Sequence, residues 1–274
     1  MQIVTKIAKE NRKLYLILRK FYRIFFDPFF LFSPIRFVKK LIYNLEKDLE
    51  HNTKIFIDLN FDVEKIKSQL KSYKLNYNDY HLSWHYHLFS GLSQKLKKIK
   101  ILEIGTHRGE FTSFLSHIFS DSEIITIDLP QNDSEFISSY QRNDISVRKN
   151  YLDQRKINLS EANIQFLELD SINIIKKFKE KKFDLIWVDG DHLNPQVSID
   201  IIQSIQLLNR GGILLCDDVI KKSFFSKYTS SESFETLELL SKKHILKNKY
   251  LFKRINKNNS FVQKYISLSV KTTV

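Results

Sequence analysis

This sequence has a single cysteine and no apolar run long enough to cross a membrane. The single cysteine, Cys216, excludes an internal disulfide framework, fits a reducing compartment, and is expected to be a buried small hydrophobe. Residues 25–34, FFDPFFLFSP, are strongly aromatic, but Asp27, Pro28 and Pro34 interrupt them well short of the ~20 apolar residues that a span needs. The N-terminus shows no signal-peptide pattern. We therefore expect a cytoplasmic protein.

Charge is unevenly distributed along the 274 residues. The net charge is +13, and both ends are basic: residues 1–80 carry +7 and residues 219–274 carry +9, whereas residues 81–218 carry −3. Nucleic acid, anionic lipid or an acidic glycan would each suit basic ends. Solvated lysine faces without any partner explain them equally well.

Residues 1–80 are predicted to form an N-terminal helical, aromatic and basic extension, and residues 81–274 the main domain. Apolar residues recur at helical spacing through residues 1–50. This segment could pack on its own domain, pair with a second copy in a homo-oligomer, or make peripheral contact with the inner face of a membrane. Further helices are predicted at 37–49 and 63–74, with a short strand at 55–59.

Three histidines, His81, His85 and His87, crowd together at the start of the main domain. Their number suggests a metal cluster, but in a helix His87 would not share the face of the other two. The alternative interpretation is that they edge a pocket or simply pack. A helix is predicted at 88–96.

From residue 100 onward, strand patterns alternate with helix patterns. Strands are predicted at 101–104, 123–127, 164–169, 183–188 and 213–216, and helices at 110–119, 134–141, 172–179 and 196–208. This alternation predicts an α/β fold: a Rossmann-like, doubly wound, mostly parallel sheet with helices on both faces. A helix near 234–240 and strand-like segments at 250–254 and 261–267 follow.

The stretch at 100–112, KILEIGTHRGEFT, combines a strand, a tight loop and a helix start. Gly105 and Gly109 allow sharp turns and close approach of a ligand, and the helix N-terminus offers free N–H groups to an anion. The spacing is G-x-x-x-G, which does not match the G-x-G-x-x-G of dinucleotide-binding folds. It resembles the first motif of class I S-adenosylmethionine (SAM) methyltransferases. The resemblance implies SAM as cofactor and an antiparallel strand pair closing the sheet.

Every predicted parallel strand after the first ends in a carboxylate: Asp128, Asp170, Asp189 and the pair Asp217-Asp218. In open α/β sheets, ligands bind beyond the carboxyl ends of the strands. Asp128 lies 23 positions after Gly105 and could accept both hydroxyls of a ribose.

The resemblance implies the remaining cofactor contacts. Leu129 would pack on the adenine, and Asp170 and Ser171 would lie at the adenine edge. Glu103 would fix the loop or reach the methionine amino group. Thr106 and the amides of the loop between Gly105 and Gly109 would face the methionine carboxylate.

A second stretch, FDLIWVDGDH at 183–192, is followed by LLNRGGILLCDD at 207–218. Together they resemble the metal-dependent O-methyltransferases of the macrocin or sugar type. That resemblance implies Mg²⁺ held by Asp189, Asp217 and Asp218, with Asp191 as general base and His192 as alternative base or orienting residue. Hard carboxylate oxygens suit Mg²⁺, which can lower the pKa of a bound hydroxyl.

The function expected from these resemblances is O-methylation of a hydroxyl on a sugar, a glycan precursor or another small molecule. The sugar branch often has an aromatic residue where His192 stands, which leaves the acceptor open. One alternative is a nucleic-acid methyltransferase, favoured by the charge. The D-G-D-H element argues against it, because enzymes that methylate a flipped base use an Asn/Asp-Pro-Pro-aromatic element. Another alternative is a membrane-recruited protein that keeps the fold without activity.

Overall fold

The computed structural model describes residues 45–79, 81–221, 231–255 and 263–272. The predicted arm through residue 44, with its aromatic stretch, lies outside the described residues. The division of the chain at residue 80 stays a prediction. Among the helices that can be described, none is both long and apolar enough to cross a bilayer.

Three helices precede the sheet: α1 (Leu45–Asp58), α2 (Val63–Ser72) and α3 (Trp84–Lys95). The strand predicted at 55–59 is wrong, because these residues continue and end α1. Ile55 and Ile57 suggested a two-residue period, yet Ile57 is 70% exposed, whereas Asn52, Ile55 and Phe56 are buried at helical spacing. The helix predicted at 63–74 is confirmed as α2.

The predicted alternation of strands and helices in the main domain is confirmed, with shifted element ends and one additional helix. In chain order they are β1 (Lys100–Ile104), α4 (Glu110–Ile118), β2 (Glu123–Asp128), α5 (Ser134–Ser138), α6 (Ile145–Asn158), β3 (Ile164–Glu168), α7 (Ile174–Lys177), β4 (Phe183–Val188), α8 (Gln196–Leu207), β5 (Leu208–Ile220), α9 (Glu232–Lys242), β6 (Leu246–Phe252) and β7 (Lys264–Lys271). Short 3₁₀ turns lie at Ser139–Gln141 and Ser171–Asn173.

One seven-stranded sheet has the order β3-β2-β1-β4-β5-β7-β6. The first five strands pair in parallel, and β7 pairs antiparallel with both β5 and β6. The Rossmann-like fold with a C-terminal antiparallel pair is therefore confirmed. The two strands overlap the predicted segments 250–254 and 261–267 but begin and end at other residues. Buried aliphatic side chains of β1, β2, β4 and β5 form the core against α7, α8 and α9.

Helix α6 was not predicted from the sequence. Asp144 caps its N-terminus by accepting from the amides of Ser146 and Val147. Only Tyr151 and Arg155 are buried among its 14 residues. So narrow a buried face leaves too few apolar positions for a helical pattern.

Strand β5 is longer than the predicted 213–216. It continues through Asp217 and Asp218 to Ile220, and its pairing with β7 shifts register between Cys216 and Val219. Asp218 has a φ of +51°, so the shift is a β-bulge with a residue in the left-handed region. The bulge therefore sets the direction of the acidic pair. Cys216 is buried and free, as predicted.

Candidate functional site

The carboxyl ends of the parallel strands meet at one edge of the sheet, as the sequence predicted. A row of paired residues crosses the sheet just before that edge: Leu167, Ile127, Ile104, Val188 and Cys216. The next residue along the chain is Asp128 in β2, Gly105 after β1, Asp189 after β4 and Asp217 in β5. Neighbouring strands lie ~4.8 Å apart, so these positions form a continuous edge.

The loop after β1 passes very close to the end of β4. Gly105 has a φ of +105°, and a Cβ built on it would lie 2.3 Å from the backbone oxygen of Asp189. The amides of Gly105 and Thr106 both donate to the carbonyl of Ile127, at 2.9 and 3.1 Å. Glycine is required here because any side chain would collide with the neighbouring backbone. These two amides bind β2, so they do not face a ligand as predicted.

Glu103 fixes this loop from beneath, which is one of its two predicted roles. Its carboxylate is 1% exposed and accepts hydrogen bonds from Thr112 at 2.5 Å and Thr126 at 2.6 Å. Thr126 in turn is 2.6 Å from the Thr106 hydroxyl. Burial raises the pKa of Glu103 to about 7, although the threonine hydroxyls oppose the shift. Thr106 is therefore part of an internal network.

Gly109 directly precedes helix α4 and lies against the C-terminal end of α6. It has a φ of +77°, and a Cβ at this position would meet the side chain of Leu159 at 2.8 Å. The Asn158 side chain donates to the carbonyl of Arg108 at 2.8 Å. The end of α6 thus fixes the far side of the loop from Gly105 to Gly109, which we call the glycine loop.

Asp128 lies where the sequence placed the ribose-binding carboxylate, but protein groups already bind it. Its Oδ2 accepts from Nη2 of Arg155 at 2.6 Å and from the amide of His107 at 3.0 Å. Its Oδ1 accepts from the amide of Leu129 at 2.8 Å. Burial raises the pKa of Asp128, although Arg155 and the two amides oppose the shift. The carboxylate is well oriented, and its Oδ1 can still accept another donor.

Sequence reasoning missed Arg155 because it missed α6. Its Nε donates to the carbonyl of His107 at 2.7 Å, so one guanidinium holds both the glycine loop and the end of β2. The guanidinium lies over the ring of Tyr151, and Arg142 lies over Phe136 at 3.8 Å. Arg155 therefore positions the His107 carbonyl and the Asp128 carboxylate relative to each other.

Ser171 ties the end of β3 to helix α8, and Asp170 caps the 3₁₀ turn that begins at Ser171. Asp170 accepts from the amide of Ile172 at 3.0 Å. Ser171 accepts from Nε2 of Gln196 at 2.7 Å, and the same Nε2 donates to Asp200 at 2.8 Å. Burial raises the pKa of Asp200 to about 6. Both residues lie at the expected edge, and their adenine contacts stay a prediction.

The acidic residues after β4 and within β5 form a cluster with two lysines. Lys253 forms ion pairs with both Asp217 and Asp218, the latter at 2.6 Å, and Lys264 forms an ion pair with Asp218. Burial alone would raise the pKa of Asp218, but the two ammonium groups outweigh it and lower that pKa. Burial and the adjacent carboxylate of Asp217 raise the pKa of Asp189 well above its usual range.

This cluster does not fit the predicted magnesium ion. Within the described ranges, no group of three or more His, Cys, Asp or Glu side chains is arranged to hold a metal ion. The prediction that Asp189, Asp217 and Asp218 are metal ligands is therefore not supported. The physical reason is that ammonium groups already neutralise the acidic pair, where a cation would have to bind.

The D-G-D-H loop separates its two candidate bases. Asp191 is exposed, and its carboxylate accepts from the amide of Leu193 at 3.0 Å. His192 faces the cluster: its Nε2 lies 3.8 Å from Asp189 and 3.9 Å from Asp218. Burial lowers the pKa of His192, although Asp218 opposes the shift. The imidazole can therefore be neutral, and so able to accept a proton, near neutral pH.

The three histidines before the sheet do not form a metal cluster. The Nδ1 of His85 is 2.9 Å from the Ser83 hydroxyl, and the Nε2 of His87 is 2.9 Å from the carbonyl of Tyr77. Burial lowers the pKa of His85 to about 3 and of His87 to about 4, so both are neutral. The packing interpretation accounts for both side chains.

Residues 102–219 match the family described as Methyltransferase domain. The matched segment is somewhat under half of the chain. It runs from β1 into β5 and includes the glycine loop and all the acidic strand ends. The centre of the chain is thus a methyltransferase domain, and the enzyme class is that of the SAM-dependent methyltransferases. No curated protein matches the sequence.

Solved structures with a similar fold include the O-methyltransferase TomG from Streptomyces achromogenes, described as involved in tomaymycin synthesis and in complex with SAM. It is 15% identical, with 82% of this chain and 99% of that chain covered and a TM-score of 0.48. The O-methyltransferase from Bacillus cereus in complex with SAH is 18% identical, with 84% and 100% covered and a TM-score of 0.48. An rRNA methylase from Streptococcus thermophilus is 13% identical, with 69% and 96% covered and a TM-score of 0.46. Because these TM-scores are below 0.5, none of the three bears on the site or the substrate.

Proposed function

We propose that this chain is a SAM-dependent O-methyltransferase that acts on a hydroxyl of a sugar, a glycan precursor or another small molecule. One observation carries the proposal: His192 lies within 4 Å of Asp189 and Asp218, at the edge of the sheet that also holds the glycine loop. Proton removal from a hydroxyl needs a base beside the cofactor site, and this histidine provides one.

The residues at the edge fit the cofactor. Asp128 is fixed by Arg155 and by two amides, so it is preorganised to accept from ribose hydroxyls. Gly105 lets the backbones of two strand ends approach, where a side chain would fill the space. When bound, SAM supplies an electrophilic methyl group on a sulfonium. The chain must then position an acceptor oxygen and take up its proton.

Two residues compete for the role of base. Asp191 is the base implied by the sequence resemblance, but it is exposed and its Oδ1 accepts from the amide of Leu193. His192 is closer to the cluster and has a lowered pKa, so we favour it. The carboxylates of Asp218 and Asp217 would stabilise the imidazolium that forms when it takes a proton.

Magnesium assistance was part of the expectation, and the arrangement of the acidic pair does not favour it. Lys253 and Lys264 contact the carboxylates that would bind the ion. The proposed function therefore derives no step through a metal ion.

Binding and methyl transfer test the proposal separately. Titration calorimetry with S-adenosylhomocysteine should show binding to the full chain that weakens about tenfold or more, a loss of at least ~1.4 kcal/mol, in Asp128→Asn. Asp153→Asn, an exposed change on helix α6, should bind like the wild type. Radiolabelled SAM should then methylate a member of a panel of hydroxylated glycans and small molecules. Absence of S-adenosylhomocysteine binding to the folded wild type would contradict the proposal.

The charge of +13 keeps nucleic acid as the alternative acceptor. The same labelled SAM would be offered with total RNA at low and high salt. Label transferred to RNA and to none of the hydroxylated small molecules would favour that alternative.

Contact of residues 1–50 with a membrane and self-association are separate proposals about partners. Co-sedimentation of the full chain with vesicles of anionic or of neutral lipid tests the first, and sedimentation velocity tests the second. Binding to neither kind of vesicle would contradict membrane contact.

A further inference from the structure

We infer that Lys253 and Lys264 take the place of a divalent cation at Asp217 and Asp218, so that this enzyme works without one. The inference deepens the proposed function and rests on it for its statement about turnover. Its statement about metal binding concerns the protein alone and can fail or succeed independently.

The contacts in the cluster carry the inference. The ammonium of Lys253 bridges both aspartates, and that of Lys264 adds a second contact to Asp218. The side chains of Lys253 and Asp217 are only 11% and 4% exposed. An ion pair this buried is held in one geometry and is not a loose surface contact.

The backbone brings both lysines to this point. Lys253 directly follows β6, where its amide donates to the carbonyl of Lys264 at 3.0 Å and its carbonyl accepts from the amide of Trp84 at 2.8 Å. Lys264 begins β7 and pairs with Ile220 of β5, just beyond the bulge. The antiparallel pair of strands thus delivers two ammonium groups to the acidic residues of the parallel sheet.

The charges of the acidic pair balance without a metal ion. Two carboxylates, Asp217 and Asp218, face two ammonium groups. A magnesium ion keeps several waters and takes one or two carboxylates, with their oxygens at about 2.0–2.1 Å. To bind here it would have to displace an ammonium group from Asp217 or Asp218. Displacement would leave a lysine charge buried without its partner, which is strongly unfavourable.

This arrangement gives Lys253 a positioning role. It holds Asp217 and Asp218 in fixed orientation beside His192, whose Nε2 is 3.9 Å from Asp218. The carboxylates of the acidic pair are thereby held in order near the proposed base. A bound ion would otherwise hold them.

Manganese titration followed by electron paramagnetic resonance tests the inference on the full chain. The wild type should bind Mn²⁺ with a dissociation constant of about 1 mM or higher. In Lys253→Met this constant should fall at least ~10-fold, because Asp217 loses its ammonium partner and Asp218 keeps only Lys264. Adding Asp217→Asn to Lys253→Met should abolish the gain. Lys249→Met is the matched control: it removes a β6 lysine that pairs with Asp58, and it should resemble the wild type.

Lys264→Met provides a second variant with a more exposed lysine, 35% against 11%, should Lys253→Met fail to fold. The inference would be overturned if the wild type bound Mn²⁺ with a dissociation constant well below 1 mM and Asp217→Asn lost this binding. It would also be overturned by a lack of any gain in both lysine variants. Once an acceptor is found, a chelator should leave turnover unchanged, and loss of turnover would also overturn it. S-adenosylhomocysteine affinity, measured on the same samples, reports separately on the proposed function.

Discussion

The Nη2 of Arg155 lies 2.6 Å from the Oδ2 of Asp128, and their side chains are only 4% and 16% exposed. This pair joins helix α6 to the end of β2, at the carboxylate that the sequence assigned to the ribose. The same guanidinium holds the carbonyl of His107 in the glycine loop. One arginine thus fixes two of the segments from which a cofactor site of this fold is built.

Replacing Arg155 should weaken both stability and cofactor binding. Arg155→Met leaves the Asp128 carboxylate buried with only two amide donors, which should lower the free energy of unfolding by about 3 kcal/mol. S-adenosylhomocysteine affinity should fall about tenfold. Urea unfolding and calorimetry measure the two effects.

Lys149→Met, an exposed change on the same helix, is the control and should leave both quantities near the wild type. The double variant Asp128→Asn with Arg155→Met should lose less stability than the two single losses added together, because it removes both charges. Full additivity would show that the two residues do not act as a pair.

The sequence predicted the parallel part of the fold well because its signals are local. Apolar strands followed by helical patterns place β1 to β5, and the residues at their ends follow directly. Arg155 could not be found in this way, since Tyr151 and Arg155 alone are buried in α6. Lys253 was equally hidden: it is one of 44 basic residues, and only tertiary pairing brings it to Asp217.

Gly105 should tolerate no side chain. In Gly105→Ala the Cβ would clash with the Asp189 carbonyl and also adopt an unfavourable φ of +105°. We expect a loss of about 3 kcal/mol in unfolding free energy, with strain and overpacking each contributing ~1–2 kcal/mol. Binding of S-adenosylhomocysteine should be lost.

Gly211→Ala separates the two causes. Its φ is +72°, but a Cβ there would have nothing within 4 Å. Only the backbone strain of about 1–2 kcal/mol should remain. Equal losses in the two variants, measured by urea unfolding, would mean that the contact with Asp189 contributes nothing.

His192 should be the base, and Asp191 should matter less. With an identified acceptor, His192→Asn should reduce kcat by about 10²–10⁴-fold while S-adenosylhomocysteine affinity stays constant. Because burial lowers the pKa of His192, the fall of kcat at acidic pH should lie below the usual histidine value of 6.5. Asp191→Asn is the matched comparison within the loop. A larger loss in that variant would return the role to Asp191, as the sequence resemblance implied.

The free energy of unfolding should fall as pH rises from about 5 to 8, because Glu103 ionises at a higher pH in the folded protein than in the unfolded chain. Folded, it holds its proton up to a pKa of about 7, whereas in the unfolded chain it ionises near 4.5. Between these values the unfolded state binds fewer protons, so the stabilisation present below pH 4.5 is lost as pH passes 7. This shift corresponds to roughly 3 kcal/mol.

Glu103→Gln keeps an acceptor for both threonine hydroxyls but cannot ionise. The difference in unfolding free energy between this variant and the wild type should grow with pH in urea titrations, while the exposed change Glu161→Gln should show no such trend. A constant difference would mean that Glu103 is already ionised at pH 5, so that burial does not control its protonation.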